Sequence, residues 1–273
     1  PLKEGSKASF LVNYRFSALG LFSLLGLEFG TGTAIPKYQD LSFNLHFPDK
    51  KGSTKLFGVG GMSSVELFQS NEAGENLFRA GLEDLTYKTN TGVLGVSRFQ
   101  KLGTNTFARA VVAVDALQTS TLLDTFAFAT NKSVVDYAGK YRDKSVQGKV
   151  SLNAFVQHKF SSRNTLKGGF RYYQYFFNLR DSFYNVGQDF GANQAIGWIE
   201  PTNFSGTTGL VQVYASDAIR LTSRLSTTLG LNYAYFTYSG ASSIEPRGGI
   251  SYKVTKNYTL SGGYGLHSQV SPF

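Results

Sequence analysis

From Leu225 to His267 the chain repeats one pattern three times, and that pattern restricts the fold more than any other feature. Leu225, Thr227, Leu229, Leu231, Tyr233 and Tyr235 alternate with Ser226, Thr228, Gly230 and Asn232. Gly248, Ile250, Tyr252 and Val254 alternate with Arg247, Gly249, Ser251 and Lys253. Tyr258, Leu260, Gly262, Tyr264 and Leu266 alternate with Thr259, Ser261, Gly263, Gly265 and His267. A period of two held over about ten residues makes a strand with one apolar and one polar face. Strands of this length with aromatic ends and small polar residues opposite suit lipid on one side and water on the other.

The same run recurs along the chain. Ala8, Phe10, Val12, Tyr14 and Phe16 share a face, as do Leu41, Phe43, Leu45 and Phe47. In the next strand Phe57, Val59 and Val65 form the apolar set, with Gly58, Gly60 and Ser64 opposite. Further runs cover Gly92–Lys101, Thr106–Leu117, Gly148–Phe160, Thr165–Leu179 and the stretch around Val211–Ala215. In the Thr165 run Leu166, Phe170 and Tyr172 face outward, and Lys167, Arg171 and Tyr173 face inward.

The connections add direction. Short ones fall near positions 50, 103, 162, 221 and 256; long ones fall near 28, 80, 130, 193 and, less long, 240. Three of the long ones are read as Ser70–Thr91, Gln118–Ser145 and Arg180–Gly206, with short helices expected within 17–39 and 70–91. A membrane barrel segregates short turns to the periplasmic side and longer loops to the outside. The fold class expected is therefore all-β: a transmembrane, antiparallel, up-and-down β-barrel with about eleven strands in this chain. An odd count with an open last strand would leave backbone groups unpaired in lipid, at several kcal/mol each. Eleven strands are thus expected to be part of a larger barrel of about 22 strands.

Composition agrees. Charged residues make up 16% of the chain, below the quarter usual in soluble proteins. The 16 Tyr and 23 Phe supply interfacial girdles, and the 30 Gly suit tight turns and a crowded wall. The absence of cysteine removes disulfides, thiolate chemistry and Cys-based zinc sites. The net charge of +9 is scattered singly, not gathered into the basic patch that nucleic-acid binding needs. The most apolar stretch, Ala18–Leu27, is about half the length of a membrane-spanning helix. The chain starts at Pro1 with no charged-then-apolar leader, so we expect it to lie inside a longer precursor.

Several segments resemble one family. Lys3–Ser17 and Tyr38–Leu45 look like the first two barrel strands of TonB-dependent outer-membrane receptors of the Bacteroidetes type. Ser243–Tyr252 followed by Gly262–Ser268 resembles a recurring barrel segment of the same group. The resemblance implies a 22-strand barrel occluded by an N-terminal plug carrying a TonB box. It implies uptake of a siderophore, vitamin, glycan or peptide, energised by an inner-membrane TonB motor acting through the plug. It implies the bacterial outer membrane as location, with the lipid bilayer, lipopolysaccharide and a surface lipoprotein as partners. Residues 1–273 would then be the N-terminal half of the barrel, with the plug and the second half outside this chain.

No catalytic constellation is present, so no enzyme is expected, and neither a cofactor nor a metal site. His46, His158 and His267 sit on different strands without metal-ligand spacing. Gly58–Gly61 lacks the Lys-Ser/Thr of a phosphate-cradling loop. Two groups remain as candidate sites. Phe183, Tyr184 and Trp198, with Asn193 and Gln194, could offer an aromatic and amide platform to a sugar, a peptide or an aromatic chelate. The same rings could instead form the outer girdle or pack the loop on itself. Glu245 and Arg247, two apart on one face, either pair and hold the rim or touch a ligand. The alternatives to an energised receptor are a passive porin-like channel and a non-transport barrel, such as an adhesin or a secretion component.

Overall fold

A computed structural model describes residues 7–17, 36–68, 83–128, 134–185 and 196–270, and side chains within these ranges except for 127–137. The strands are β1 (Ser9–Phe16), β2 (Lys37–Pro48), β3 (Gly52–Phe68), β4 (Glu83–Lys101), β5 (Thr106–Phe128) and β6 (Val134–Lys159). They continue as β7 (Asn164–Asn185), β8 (Gly197–Arg220), β9 (Leu225–Phe236), β10 (Ser242–Lys253) and β11 (Thr259–Gly265). All eleven form a single antiparallel sheet whose spatial order is the chain order. No helix among the described residues is long and apolar enough to cross a membrane.

The register shows how the sheet is sheared. The row Thr54, Arg98, Ala110, Ala154, Phe170, Val213, Tyr233, Ile244 runs straight along the ladder. It begins at the short-turn end of β3 and finishes near the opposite end of β10. Each strand is therefore displaced by about one residue from the last. Tilted, staggered strands of this kind are the condition for rolling a sheet into a barrel.

Chemistry separates the two faces. One carries Phe10, Val12, Leu41, Leu94, Val96, Val112, Val114, Val156, Phe170, Val213, Leu229, Leu231 and Ile250, all exposed. On β5 this face reads Ala108, Ala110, Val112, Val114, Ala116 before turning polar at Gln118. That run matches the roughly 9–11 residues a tilted strand needs to cross hydrocarbon. Gln174, a polar exception, donates to the Thr208 carbonyl at 3.2 Å and accepts from the Tyr172 hydroxyl. The opposite face holds Ser97, Arg109, Asp115, Lys149, Asn153, Arg171, Gln212 and Asn232, as a water-filled lumen requires.

Two expectations change. Gln118–Ser145 and Arg180–Gly206 are not loops over most of their length. β5 and β6 stay paired as far as Phe128 and Val134, and β7 and β8 as far as Asn185 and Gly197. Residues 83–91, placed in the third connection, also belong to β4. Outside the bilayer neither face need be apolar, so alternation stops while the ladder continues. The helix expected within 17–39 lies mostly outside the described residues, as does 70–82.

The second change concerns β3. Leu56, Gly58 and Gly60 pair with Leu45, Phe43 and Leu41 and with Val96, Leu94 and Gly92, which places the glycines on the lipid face. Phe57, Val59 and Val65 consequently face the lumen. Glycine permits this exchange, because a Cβ on Gly58 would lie 2.5 Å from the Phe43 ring and one on Gly95 2.4 Å from the Phe57 ring. Each face thus lays a phenyl ring over a neighbouring strand's glycine.

The short turns are fastened by side chains. In the β2–β3 turn Asp49 accepts from the Lys51 N–H at 2.8 Å and pairs with Arg98. These contacts, the Arg98 bond first, hold the Asp49 carboxyl below its ordinary pKa.

Glycine positions along the wall differ sharply in tolerance. A Cβ on Gly169 would meet the Ala154 carbonyl oxygen at 2.5 Å and the Phe155 Cβ at 2.7 Å, whereas one on Gly148 would meet nothing closer than 3.7 Å. Gly169→Ala should therefore destabilise the sheet by about 1–3 kcal/mol as an overpacked site. Gly148→Ala should stay within about 0.5 kcal/mol of the wild type. Denaturant midpoints of the two refolded variants would separate these; equal midpoints would contradict the register given above.

Candidate functional site

The outer extension of β5–β8 carries the aromatic group singled out in the sequence. Tyr184 and Trp198 are register partners, with ring centroids 5.8 Å apart and planes at 79°. The Arg142 guanidinium lies 5.5 Å from the Trp198 ring centroid. Its Nη1 donates to the Leu123 and Tyr141 carbonyls at 2.9 and 2.8 Å, and its Nη2 pairs with Asp124. Gly139 makes room for this packing, since a Cβ there would sit 2.8 Å from the indole.

Phe183 does not join them. It pairs with Tyr141 and Ile199 on the lumenal face, while Tyr184 and Trp198 lie on the outer face. A register shift between Asp181 and Phe183 turns the start of β8 over. Such bulges re-aim side chains where a ladder is interrupted. Asn193 and Gln194 lie outside the described residues. The five residues taken together in the sequence are thus divided between two faces for the three described.

Glu245 and Arg247 lie on the lumenal face of β10, close to its outer end. The Arg247 Nη2 donates to Glu245 Oε2 at 2.6 Å. Glu245 is only 2% exposed and gathers further donors. These are Asn232 Nδ2 at 3.1 Å, Ser243 Oγ at 3.2 Å, the Ser268 backbone N–H at 2.9 Å and the Ser268 hydroxyl. One carboxylate therefore ties β9, β10 and the segment after β11. A buried charge requires this many donors to compensate its lost hydration.

The lumenal wall holds a second cluster, to which the inward-facing Lys167, Arg171 and Tyr173 belong. Phe99, Phe107 and Phe155 form a ring series with centroid spacings of 5.4 and 6.2 Å. Lys167 Nζ lies 4.2 Å from the Phe155 centroid, and the Arg171 guanidinium 4.8 Å from that of Tyr214. Above them Tyr173, Tyr175 and Phe177 follow at 6.4 and 6.3 Å. Cations over ring faces are attracted by the ring quadrupole. Alternation in β6–β8 carries the signal for this cluster, because rings and cations recur at every second residue on the polar side. No group of three or more His, Cys, Asp or Glu among the described residues could hold a metal ion.

A staggered meander with an apolar outer and a polar, aromatic inner face is now established. The family model described as TonB dependent receptor-like, beta-barrel, matches residues 25–267. The chain belongs to this family. Its members are receptors and transporters, and their place is the bacterial outer membrane.

Solved structures agree on the fold of this TonB-dependent receptor barrel. The siderophore receptor PirA from Acinetobacter baumannii is 17% identical, with a TM-score of 0.64, covering 96% of this chain and 38% of that chain. The copper transporter OprC is 12% identical with a TM-score of 0.57, covering 94% and 39%. The RagAB peptide transporter is 8% identical with a TM-score of 0.59, covering 85% and 33%. The chain spans well under half the length of these structures. No curated protein matches the sequence significantly.

The Glu245 cluster sets a stability expectation. Glu245→Ala leaves Asn232, Ser243, Arg247 and Ser268 without their shared acceptor. It should cost about 1.5–3 kcal/mol, the range for hydrogen bonds to a charged group. Thermal unfolding of the receptor in detergent would show it, and an unchanged midpoint would remove the cluster's structural role.

Proposed function

We propose that this chain is the N-terminal half of a 22-strand barrel in a TonB-dependent receptor that imports a nutrient across the outer membrane. The observation that carries the reading is the family match along residues 25–267, joined to a sheared eleven-strand meander. β1 and β11 are the two edges of the sheet and would pair with the remaining strands, which satisfies their backbone groups in lipid. The segments Lys3–Ser17, Tyr38–Leu45 and Ser243–Ser268 support the Bacteroidetes type within the family.

In this reading the barrel wall performs three tasks. Its apolar face excludes water and anchors the receptor among outer-leaflet lipids, lipopolysaccharide included. Its lumenal rings and cations, Phe155, Lys167, Arg171 and Tyr214 among them, present stacking faces and positive charge to what fills the barrel. A plug on which the inner-membrane TonB motor pulls would occupy that space at rest. Its long outer extensions form the entrance, where a surface lipoprotein could deliver cargo. The cargo class is a siderophore, glycan, vitamin or peptide, all compatible with an aromatic and polar wall.

Uptake by cells carrying the full-length receptor should be lost when the TonB motor protein is deleted. The purified receptor should also be nearly silent in a planar bilayer. Undiminished uptake without the motor, or steady conductance of an unplugged pore, would instead support a passive channel.

A further inference from the structure

The fold gathers at one end the positive charge that the sequence scatters. Five short turns join successive strands, at 48–53, 101–106, 159–164, 220–225 and 253–258. Together they hold nine lysines and arginines against one carboxylate, Asp49, which Arg98 already engages. Nine against one leaves this rim eight charges positive, when the whole chain is only nine positive. All nine cations are exposed, and among the described residues none has an ion-pair partner. Short turns mark the periplasmic end of an outer-membrane barrel.

The register separates these cations from the lipid. Lys101, Lys159, Arg220 and Lys253 are the last residues of β4, β6, β8 and β10. Each takes the lumenal parity, paired with Phe107, Thr165, Ser226 and Thr259. The residue that follows takes the lipid parity and is apolar and exposed: Leu102, Phe160, Leu221 and Val254. One backbone pattern repeats beneath them. The Leu102, Phe160 and Val254 N–H groups donate to the Thr106, Asn164 and Tyr258 carbonyls at 2.9, 3.1 and 3.0 Å. The other five cations stand on the turns themselves, Lys50 and Lys51 on the first, then Arg163, Arg224 and Lys256. Hydroxyls of Ser161, Thr222 and Thr255 accept the Arg163, Arg224 and Asn257 N–H groups at 3.1, 3.2 and 3.2 Å, which fixes these tips.

We propose that this rim binds an extended periplasmic polyanion, the carboxylate-bearing peptide stems of peptidoglycan. Charge complementarity and spacing decide the partner. Neighbouring turns are two strand spacings apart, roughly 10 Å. A small anion engages one or two of them, whereas a polymer with repeated carboxylates engages them all. Like charges concentrated on one rim also set up a field that draws such a polymer in before contact. Lipid headgroups match less well, because the side of the rim turned to them carries Leu102, Phe160, Leu221 and Val254. The contact holds the receptor to the wall beneath it, a role separate from uptake. The inference rests on the outer-membrane orientation alone and is independent of cargo or motor.

The test is co-sedimentation of the full-length receptor, held in phosphatidylcholine nanodiscs, with purified peptidoglycan sacculi. The wild type should pellet with native sacculi but not with sacculi whose carboxylates have been amidated, and added salt should release it. The Lys50→Gln/Lys51→Gln/Arg163→Gln/Arg224→Gln/Lys256→Gln variant should bind about tenfold more weakly, since several exposed charge contacts are lost together. The Arg163→Gln/Arg224→Gln variant should fall between the two. The Lys88→Gln/Lys144→Gln variant removes the same charge at the opposite end of the barrel and should behave as wild type. All the substituted residues are exposed and without ion-pair partners among the described residues, so each variant is expected to fold. Heat-modifiable migration on a gel would confirm it. Equal binding of the wild type to native and amidated sacculi overturns the proposal. So does wild-type binding by the five-site variant, or a loss in the Lys88/Lys144 control as large as in Arg163/Arg224. Loss of sacculus binding in discs of phosphatidylglycerol overturns it as well, by assigning the cations to lipid headgroups. Because no arm measures uptake, a failure here leaves the receptor reading standing, and the reverse also holds.

Discussion

Backbone hydrogen bonding in lipid is the constraint on which the rest of this structure depends. Each unpaired N–H or C=O in hydrocarbon costs several kcal/mol. A chain that crosses with strands must therefore pair every one of them with its neighbours. The sheet does so in the simplest order, each strand with the next, so no connection has to pass over a face. The stagger of about one residue per strand follows from the same demand, since only tilted strands can close a ladder into a cylinder. Side chains are then free to differ. Lipid selects one face, water the other, and glycine appears where a ring from a neighbouring strand must lie flat.

Much of this was legible in the residues, and the failures have identifiable physical causes. The alternation of Leu229, Leu231 and Tyr233 with Gly230 and Asn232 marked β9 because lipid and water act on it from opposite sides. That contrast vanishes beyond the bilayer. The polar stretches 118–128 and 180–185 therefore looked like loops, although they stay in the ladder, with register shifts at Leu123/Asp124, Ala127/Phe128 and Asp181/Phe183. β3 misled for a different reason. Phe57 and Val59 outweigh Gly58 and Gly60 in apolarity, yet Phe43 and Leu41 supply the lipid-facing bulk from the adjacent strand. Single-strand alternation cannot see a partner's side chain.

The candidate sites show the same limit. Pairing of Glu245 with Arg247 was a stated alternative from their spacing. The participation of Asn232 and of Ser268 was not, because it depends on register across three segments. The aromatic platform dissolved on a single extra residue. A bulge between Asp181 and Phe183 puts Trp198 beside Tyr184 and Arg142 and away from Phe183. Functional surfaces of a sheet are rows across strands, whereas a sequence displays only columns.

The central claim is that the two faces of each strand meet different solvents, over a band that ends at a defined level. Spin labels placed singly from Ala108 to Ser120 on β5, in the receptor reconstituted into bilayers, test it most directly. Accessibility to oxygen should peak at positions 108, 110, 112, 114 and 116. Accessibility to a water-soluble nickel reagent should peak at 109, 111, 113 and 115, and it should rise on the even positions from Gln118 outward. In-phase profiles for the two reagents, or an oxygen maximum that continues through Ser120, would contradict the structure of the wall described above.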